Sequence, residues 1–219
     1  MPRTLAVASY ELGLSLLQDG NTDDAAIAFA DAIQAEVGAL RPGILQPAVE
    51  ATVALLLSRL LYAEGGGNAA AELALNSVST EMFGAHVAST AHLGLAIASL
   101  GRLGAAAWHL GEAARLRKVG MPTLGERLVH VAFRRQADMP APDAKQLALA
   151  LRREGRPAEL AWTLTILASD RLAEGNLLEA LAIAVEAVGT ASTVNDPHGG
   201  KLLARAQYLL DMVNRVLDK

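Results

Sequence analysis

The sequence predicts an all-α fold, and three features of the chain support this prediction. The 219 residues are 52% hydrophobic but only 4% aromatic, with Ala and Leu as the main apolar residues, and both residue types favour helices. Runs of β-branched residues that alternate with polar ones, as strands require, are nearly absent. Small and large apolar residues also recur at one fixed spacing, which indicates helices that pack in pairs.

The clearest copy of this spacing lies near the N-terminus and consists of Leu12, Gly13, Leu16, Ala25, Phe29 and Ala32. The same offsets recur at Leu93, Gly94, Ile97, Ala106, Leu110 and Ala113, and with smaller side chains at Leu57, Ser58, Leu61, Ala70, Ala74 and Ser77. At this spacing the chain resembles the tetratricopeptide repeat (TPR) family. The resemblance implies a right-handed α-solenoid of about five antiparallel helix pairs, followed by a C-terminal capping helix.

The small residue of each first helix gives the period of the repeat. These residues are Gly13, Ser58, Gly94, Val131 and Ala168, at successive intervals of 45, 36, 37 and 37 residues. The family period is about 34 residues, so longer turns are expected, with an insertion in the first interval around the prolines of 41–47. The predicted units span 5–40, 48–80, 86–119, 123–155 and 157–192, with a capping helix over 200–218, in a single domain 1–219.

Glycine-containing joints separate the two helices within most units. They lie at 20–23, 65–68, 101–104 and 175–176. Glycine adopts the positive φ that ends a helix, and Asn or Asp caps the next one, so we expect tight turns there. Within a pair, Gly13 and Gly94 are expected to let the second helix approach closely, with Phe29 and Leu110 filling the space beyond.

The fourth unit departs from the pattern and keeps only its last two packing positions, Leu147 and Ala150. Its turn, Met139-Pro140-Ala141-Pro142, is atypical. We still expect two helices, near 124–137 and 143–154. In the last segment, one helical stripe contains Leu202, Ala206, Leu209, Val213 and Val216. That stripe is typical of a terminal helix that caps the array, and a partner-binding helix is the alternative.

Composition argues against several classes of function. A net charge of −4 without a concentrated basic face argues against a nucleic-acid partner. The most apolar run, 53–63, contains Arg59 and is shorter than the roughly 20 residues that cross a bilayer, so no membrane partner is expected. The early charges at Glu11 and Asp19 argue against a signal peptide. We therefore expect a cytoplasmic protein.

The chemistry of catalysis is not evident in the sequence. The chain lacks cysteine, and its five histidines do not share a helical face; His86 and His92, for example, are six residues apart. The triple glycine at 65–67 follows no strand and precedes no Lys-Ser or Lys-Thr pair, so a turn is expected rather than a phosphate site. The sequence therefore predicts no enzyme, no cofactor and no metal site.

If the resemblance holds, the first helices line the concave surface and form a groove for a partner. The candidate partner-binding residues are Tyr10, Leu14, Leu17, Leu55, Arg59, Tyr62, Leu95, Arg135 and Trp162. Arg59 and Arg135 would fix an acidic feature of the ligand, and the apolar residues would bind its side chains. For Trp162 the alternative is burial between units, and packing is the expectation for Trp108. The Lys, Asn and Arg clamp by which some family members hold a terminal carboxylate is absent.

The resemblance implies a non-catalytic protein–protein interaction scaffold or adaptor that binds a peptide or helix in its concave groove. The alternative is a sensory or regulatory module of a bacterial signalling or transcription-regulation system, working with a separate DNA-binding or nucleotide-binding part. A hydrolase or transferase on a helical scaffold ranks below both. Homo-oligomers are a further option, because Ala-rich ends of such arrays can expose apolar surface.

Overall fold

The computed structural model describes residues 2–37, 43–62, 67–117, 120–196 and 198–218, with the side chains of 2–4 left out. These residues form eleven α-helices and one 3₁₀ turn, Glu81–Phe83, and none of them lies in a strand. The all-α prediction is confirmed. The helices are α1 Pro2–Gln18, α2 Thr22–Val37, α3 Leu45–Leu61, α4 Ala69–Val78, α5 Ala85–Ala98, α6 Leu103–Arg117, α7 Leu124–Gln136, α8 Ala144–Arg153, α9 Pro157–Ala173, α10 Leu177–Ala191 and α11 Gly199–Leu217.

The chain divides into two compact units. The first contains Met1–Leu60 and Glu64–Pro122, and the second contains Leu61–Ala63 and Thr123–Lys219. In the first unit α1 packs on α2 and α5 packs on α6, while α4 contacts both α2 and α5. Its largest fully buried side chains are Phe29, Ile33, Leu55, Leu56, Leu75, Leu95, Ile97 and Leu116.

Neighbouring helices also pack on one another in the second unit. α7 packs on α8, α9 packs on α10, and α9 receives contacts from α7 and α8. The ends of α7 and α8 lie within one residue of the ends predicted from the sequence. Leu147, one of the predicted packing residues of α8, is fully buried. Leu172 packs against the buried cluster of Ala168, Ala184 and Leu209, beside a partly exposed Arg171.

The last helix, α11, packs against both α9 and α10. Its buried residues are Leu202, Ala206, Leu209 and Val213, as the predicted stripe requires, together with Gly199. Val216 departs from that prediction because its side chain is exposed. α11 is 19 residues long. Neither α11 nor any other helix of the described ranges combines the length and apolarity needed to cross a bilayer.

The joints follow the predicted glycine chemistry only in part. Gly20 and Gly175 adopt positive φ angles of 78° and 77°, as a helix end requires. Asn68 caps α4, because its side-chain oxygen accepts a hydrogen bond of 3.1 Å from the Ala71 amide. Gly101 does not adopt positive φ, so its predicted role as a left-handed helix end is wrong. Gly65, Gly66, Arg41 and Pro42 lie outside the described residues.

The two motif glycines make close contacts with different helices. At Gly13 an added Cβ would lie 2.5 Å from the Phe29 ring, so the glycine does allow α1 and α2 to approach. At Gly94 an added Cβ would lie 2.5 Å from Leu75 Cδ1 and 2.9 Å from Val53 Cγ2. Those residues belong to α4 and α3, not to α6. The prediction for Gly94 is therefore corrected: it makes room for the preceding helix pair rather than for the second helix of its own.

Candidate functional site

The predicted groove residues of the first unit have different surroundings. On α1, Leu14 is exposed and Leu17 half-buried, and Tyr10 is half-buried with its ring centroid 5.9 Å from that of Phe29. Leu55 and Leu95 lie in the hydrophobic core. A partner could therefore reach the α1 residues, whereas the other two side chains already pack inside the protein.

Arg59 also has an internal role. The residue is only 9% exposed, and its Nη1 donates hydrogen bonds to Thr22 Oγ1 at 3.1 Å and to Asp23 Oδ1 at 2.7 Å. These bonds tie the end of α3 to the start of α2. The charge of Arg59 is already paired with the Asp23 carboxylate. We therefore assign Arg59 a structural role rather than a role in binding a ligand.

Tyr62 and Trp162, in the second unit, are buried. The Tyr62 hydroxyl donates a hydrogen bond to the Asp196 carboxylate, and its ring centroid lies 5.2 Å from that of His198. Trp162 is only 3% exposed. Burial, the alternative considered for this tryptophan, is what the structure shows.

Arg135 is the predicted groove residue that offers a charge at the surface. Its side chain is 46% exposed. The guanidinium donates to Ser169 Oγ at 3.0 Å and lies 3.5 Å from Asp170 Oδ1, a distance too long for a close ion pair. Arg135 therefore keeps much of its capacity to bind another acidic group.

A cleft of about 420 Å³ lies beside Arg135, between the end of α7, the turn into α8 and the end of α9. Its residues are Arg135, Asp138, Met139, Pro140, Ala141, Pro142, Lys145, Leu167, Asp170, Arg171, Ala173 and Glu174. The size falls in the range of ligand sites, which is roughly 300–1,000 Å³. The apolar part comes mainly from the atypical turn of the fourth unit, and the charged part comes from the helices around it.

The turn that forms this cleft has a defined backbone. Asp138 has φ of 53°, which makes it the one non-glycine residue with positive φ in the described part of the chain. The Met139 amide donates to the Arg134 carbonyl at 2.8 Å, and the Arg134 guanidinium donates to the Pro140 carbonyl at 3.2 Å. Since Asp tolerates the left-handed conformation better than most residues, the sequence supports the turn, and the cleft is preformed.

Charges around the cleft are unequally compensated. Arg171 forms ion pairs with Glu174 and, at 3.2 Å, with Glu179. Desolvation raises the pKa of Asp170, the positive charge of Arg135 opposes this rise, and the negative charge of Glu174 adds to it. A ligand carboxylate would therefore meet Arg135 more favourably than Arg171, whose charge is already matched.

A second cluster joins α5 and α6 in the first unit. The Nδ1 atoms of His92 and His109 lie 2.9 Å apart, and the Trp108 ring contacts both imidazoles edge-on, with centroids 5.4 and 4.8 Å away. Trp108 is 59% exposed, so the prediction that it packs inside is wrong. The spacing of these two histidines in the sequence does not predict their contact.

Burial disfavours the charged forms of this histidine pair. Desolvation lowers the pKa of His92, and desolvation together with the positive charge that His92 would carry lowers that of His109. Glu112 and the Ser79 carbonyl oppose the shift at His92, and Glu72 opposes it at His109. Within the described ranges no three His, Asp or Glu side chains converge as metal ligands would.

Comparisons with protein-family models, with curated proteins and with solved structures find no match to this chain. The relation to the TPR family stays a prediction from the sequence spacing. The two clusters, at Arg135 and at His92, are thus the features from which a function can be inferred.

Proposed function

We propose that this chain is a non-catalytic, TPR-like helical-repeat scaffold that binds a peptide segment of a partner protein in a bacterial cytoplasm. The paired helices support a solenoid, and so does the packing of α9 on both α7 and α8 and of α11 on both α9 and α10. In repeat proteins each unit contacts its sequence neighbours, and the surface left over serves as a binding face.

The cleft beside Arg135 is the observation on which this proposal depends. It combines an apolar turn with one loosely compensated guanidinium, so it suits a short extended segment with an acidic group next to an apolar side chain. Arginine presents two parallel donors to a carboxylate, which gives both attraction and orientation. The preformed turn at Asp138 lowers the cost of ordering the site on binding.

This proposal changes the groove predicted from the sequence. Five of the nine residues are buried: Leu55, Arg59, Tyr62, Leu95 and Trp162. Arg135 remains the proposed anchor for the acidic feature. Tyr10, Leu14 and Leu17 remain candidates for apolar contacts in the first unit, since α1 leaves them partly accessible.

A selection from a displayed library of random 12-residue peptides on the immobilised protein tests the proposal. Peptides that carry Asp or Glu beside an apolar residue should be enriched. Their binding should be lost in Arg135→Glu and kept in Arg153→Glu, which makes the same charge reversal on an exposed residue of α8. Enrichment of peptides that bind Arg135→Glu equally well would contradict the assignment of the cleft.

The alternative role, a sensory or regulatory module, is favoured by the His92 and His109 pair. A regulatory module needs an element with two states, and two imidazoles that share one hydrogen bond can change state on protonation. Limited proteolysis of the protein at pH 7.5 and at pH 5.5 tests this role. A new cleavage site in α5 or α6 at the lower pH, absent in His109→Gln, would support it, and identical digests would oppose it.

A further inference from the structure

The last helix carries a second apolar stripe besides the one that packs on α9 and α10. Tyr208, Met212 and Val216 follow one another at intervals of four residues, so they share one side of α11. Their exposed fractions are 66%, 37% and 42%. Large apolar side chains exposed singly are common, but three in a row along one helix form a patch that indicates an interaction surface.

Two opposite charges flank this stripe on the same side. Asp211 and Arg215 are four residues apart, a spacing at which a helix can form an internal ion pair. Neither residue forms an ion pair with any part of the described chain, whereas Arg135, Arg152 and Arg171 of the same unit each contact a carboxylate. The charges of α11 thus remain open to a partner.

The order of these residues is self-complementary in one orientation. If a second α11 runs antiparallel around a two-fold axis at Met212, each Tyr208 faces Val216 of the second copy, because both lie four residues from the axis. The same rotation brings Asp211 of each copy near Arg215 of the other copy, so the interface contains two such contacts. In a parallel arrangement around an axis along the helices, the Asp211 and Arg215 flanks of the two copies lie on opposite sides of the interface, so this pairing of opposite charges is lost.

We propose that the Tyr208, Met212 and Val216 face of α11 binds a second copy of this chain, antiparallel, around a two-fold axis at Met212. The contact is small, so the dimer dissociates on dilution, as expected for interfaces below about 1,200 Å². None of the three residues lines the cleft beside Arg135. The dimer and the proposed peptide site therefore succeed or fail separately.

Disulfide trapping tests the axis directly, because the chain contains no cysteine. Oxidised Met212→Cys protein should form a covalent dimer in most molecules at about 100 µM, a concentration suited to a weak interface. Leu178→Cys, on an exposed position of α10, is the matched control and should stay mostly monomeric. Equal trapping in the two variants, or trapping only between Leu12→Cys on α1 and Met212→Cys, would overturn the proposal.

A charge swap distinguishes the antiparallel pairing from a parallel one. In sedimentation equilibrium of the cysteine-free protein, Asp211→Arg should weaken dimerisation by about tenfold or more, because it sets two arginines against each other. Adding Arg215→Asp should restore dimerisation to within about threefold of wild type. A wild-type chain that stays monomeric at about 200 µM, or a double variant without recovery, would overturn the proposal. Far-UV circular dichroism identifies any variant that fails to fold.

Discussion

His92 on α5 and His109 on α6 share a hydrogen bond in which the two Nδ1 atoms lie 2.9 Å apart. This bond requires one protonated and one bare nitrogen, so it forms when the pair is neutral or singly charged. When both rings are charged, two N–H groups point at each other and the bond is lost. The pair therefore makes the contact between α5 and α6 sensitive to pH.

Acid should destabilise the first unit through this pair. The pKa of each histidine is lowered from its ordinary value of 6.5 in the folded protein, so between pH 6.5 and that lower pKa the unfolded chain binds more protons. The free energy of unfolding therefore falls as pH falls through 6.5. Thermal unfolding from pH 7.5 to pH 5.0 measures this slope. His109→Gln should flatten it, and an unchanged slope in His109→Gln would contradict the expectation.

Removal of the Arg59 side chain should destabilise the protein. Arg59→Ala removes the hydrogen bond to the buried Thr22 and cuts the ion pair with Asp23. We expect a loss of about 1–3 kcal/mol in the free energy of unfolding by urea denaturation. Arg153→Ala, at an exposed arginine of α8, should change it by less than about 0.5 kcal/mol. Equal effects in the two variants would show that the buried bonds contribute little.

Substitution of Gly94 tests the contact between neighbouring helix pairs. In Gly94→Ala the new Cβ meets Leu75 and Val53 at distances that require both side chains to move. A destabilisation of about 1–3 kcal/mol is expected in chemical denaturation. Gly111→Ala in α6 has no atom within 4 Å of the new Cβ, and removing a helical glycine should stabilise it by about 0.5–1 kcal/mol. The same sign of effect at both glycines would rule out the close approach.

The turn beside the cleft should tolerate glycine but not a β-branched residue at position 138. Asp138 has positive φ, which costs glycine nothing and costs valine about 1–2 kcal/mol. Asp138→Gly should therefore keep its melting temperature within about 2 °C of wild type, and Asp138→Val should lose several degrees. If valine is tolerated as well as glycine, the turn is not fixed in this conformation.

The positions of the helices could be predicted largely from the sequence, but their surroundings could not. Glycine, proline and asparagine mark the ends of helices locally, and so the limits of α7 and α8 follow from residues close to them. The exposure of Trp108 and the burial of Trp162 depend on which other helix covers each face. The contact of Gly94 with Leu75 and Val53, and the meeting of His92 with His109, likewise depend on tertiary packing.

Of the residues that line the cleft, the sequence predicted only Arg135 as a binding residue; the turn Met139 to Pro142 was predicted as an atypical turn and not as part of a site. Sequence register assigns a residue to one face of its helix, but it does not tell whether that face stays open. Arg59 shows the difference: it occupies a predicted groove position, yet the structure gives it Thr22 and Asp23 as partners.

Capture of partners from a native cell lysate tests the scaffold role most directly. Wild-type protein, Arg135→Glu and Arg153→Glu would be immobilised, and the retained proteins identified and quantified by mass spectrometry. We expect at least one protein to be held by wild type and by Arg153→Glu and to be depleted about tenfold or more on Arg135→Glu. If the three captures contain the same proteins in the same amounts, Arg135 does not anchor a partner and the proposed cleft is not the binding site.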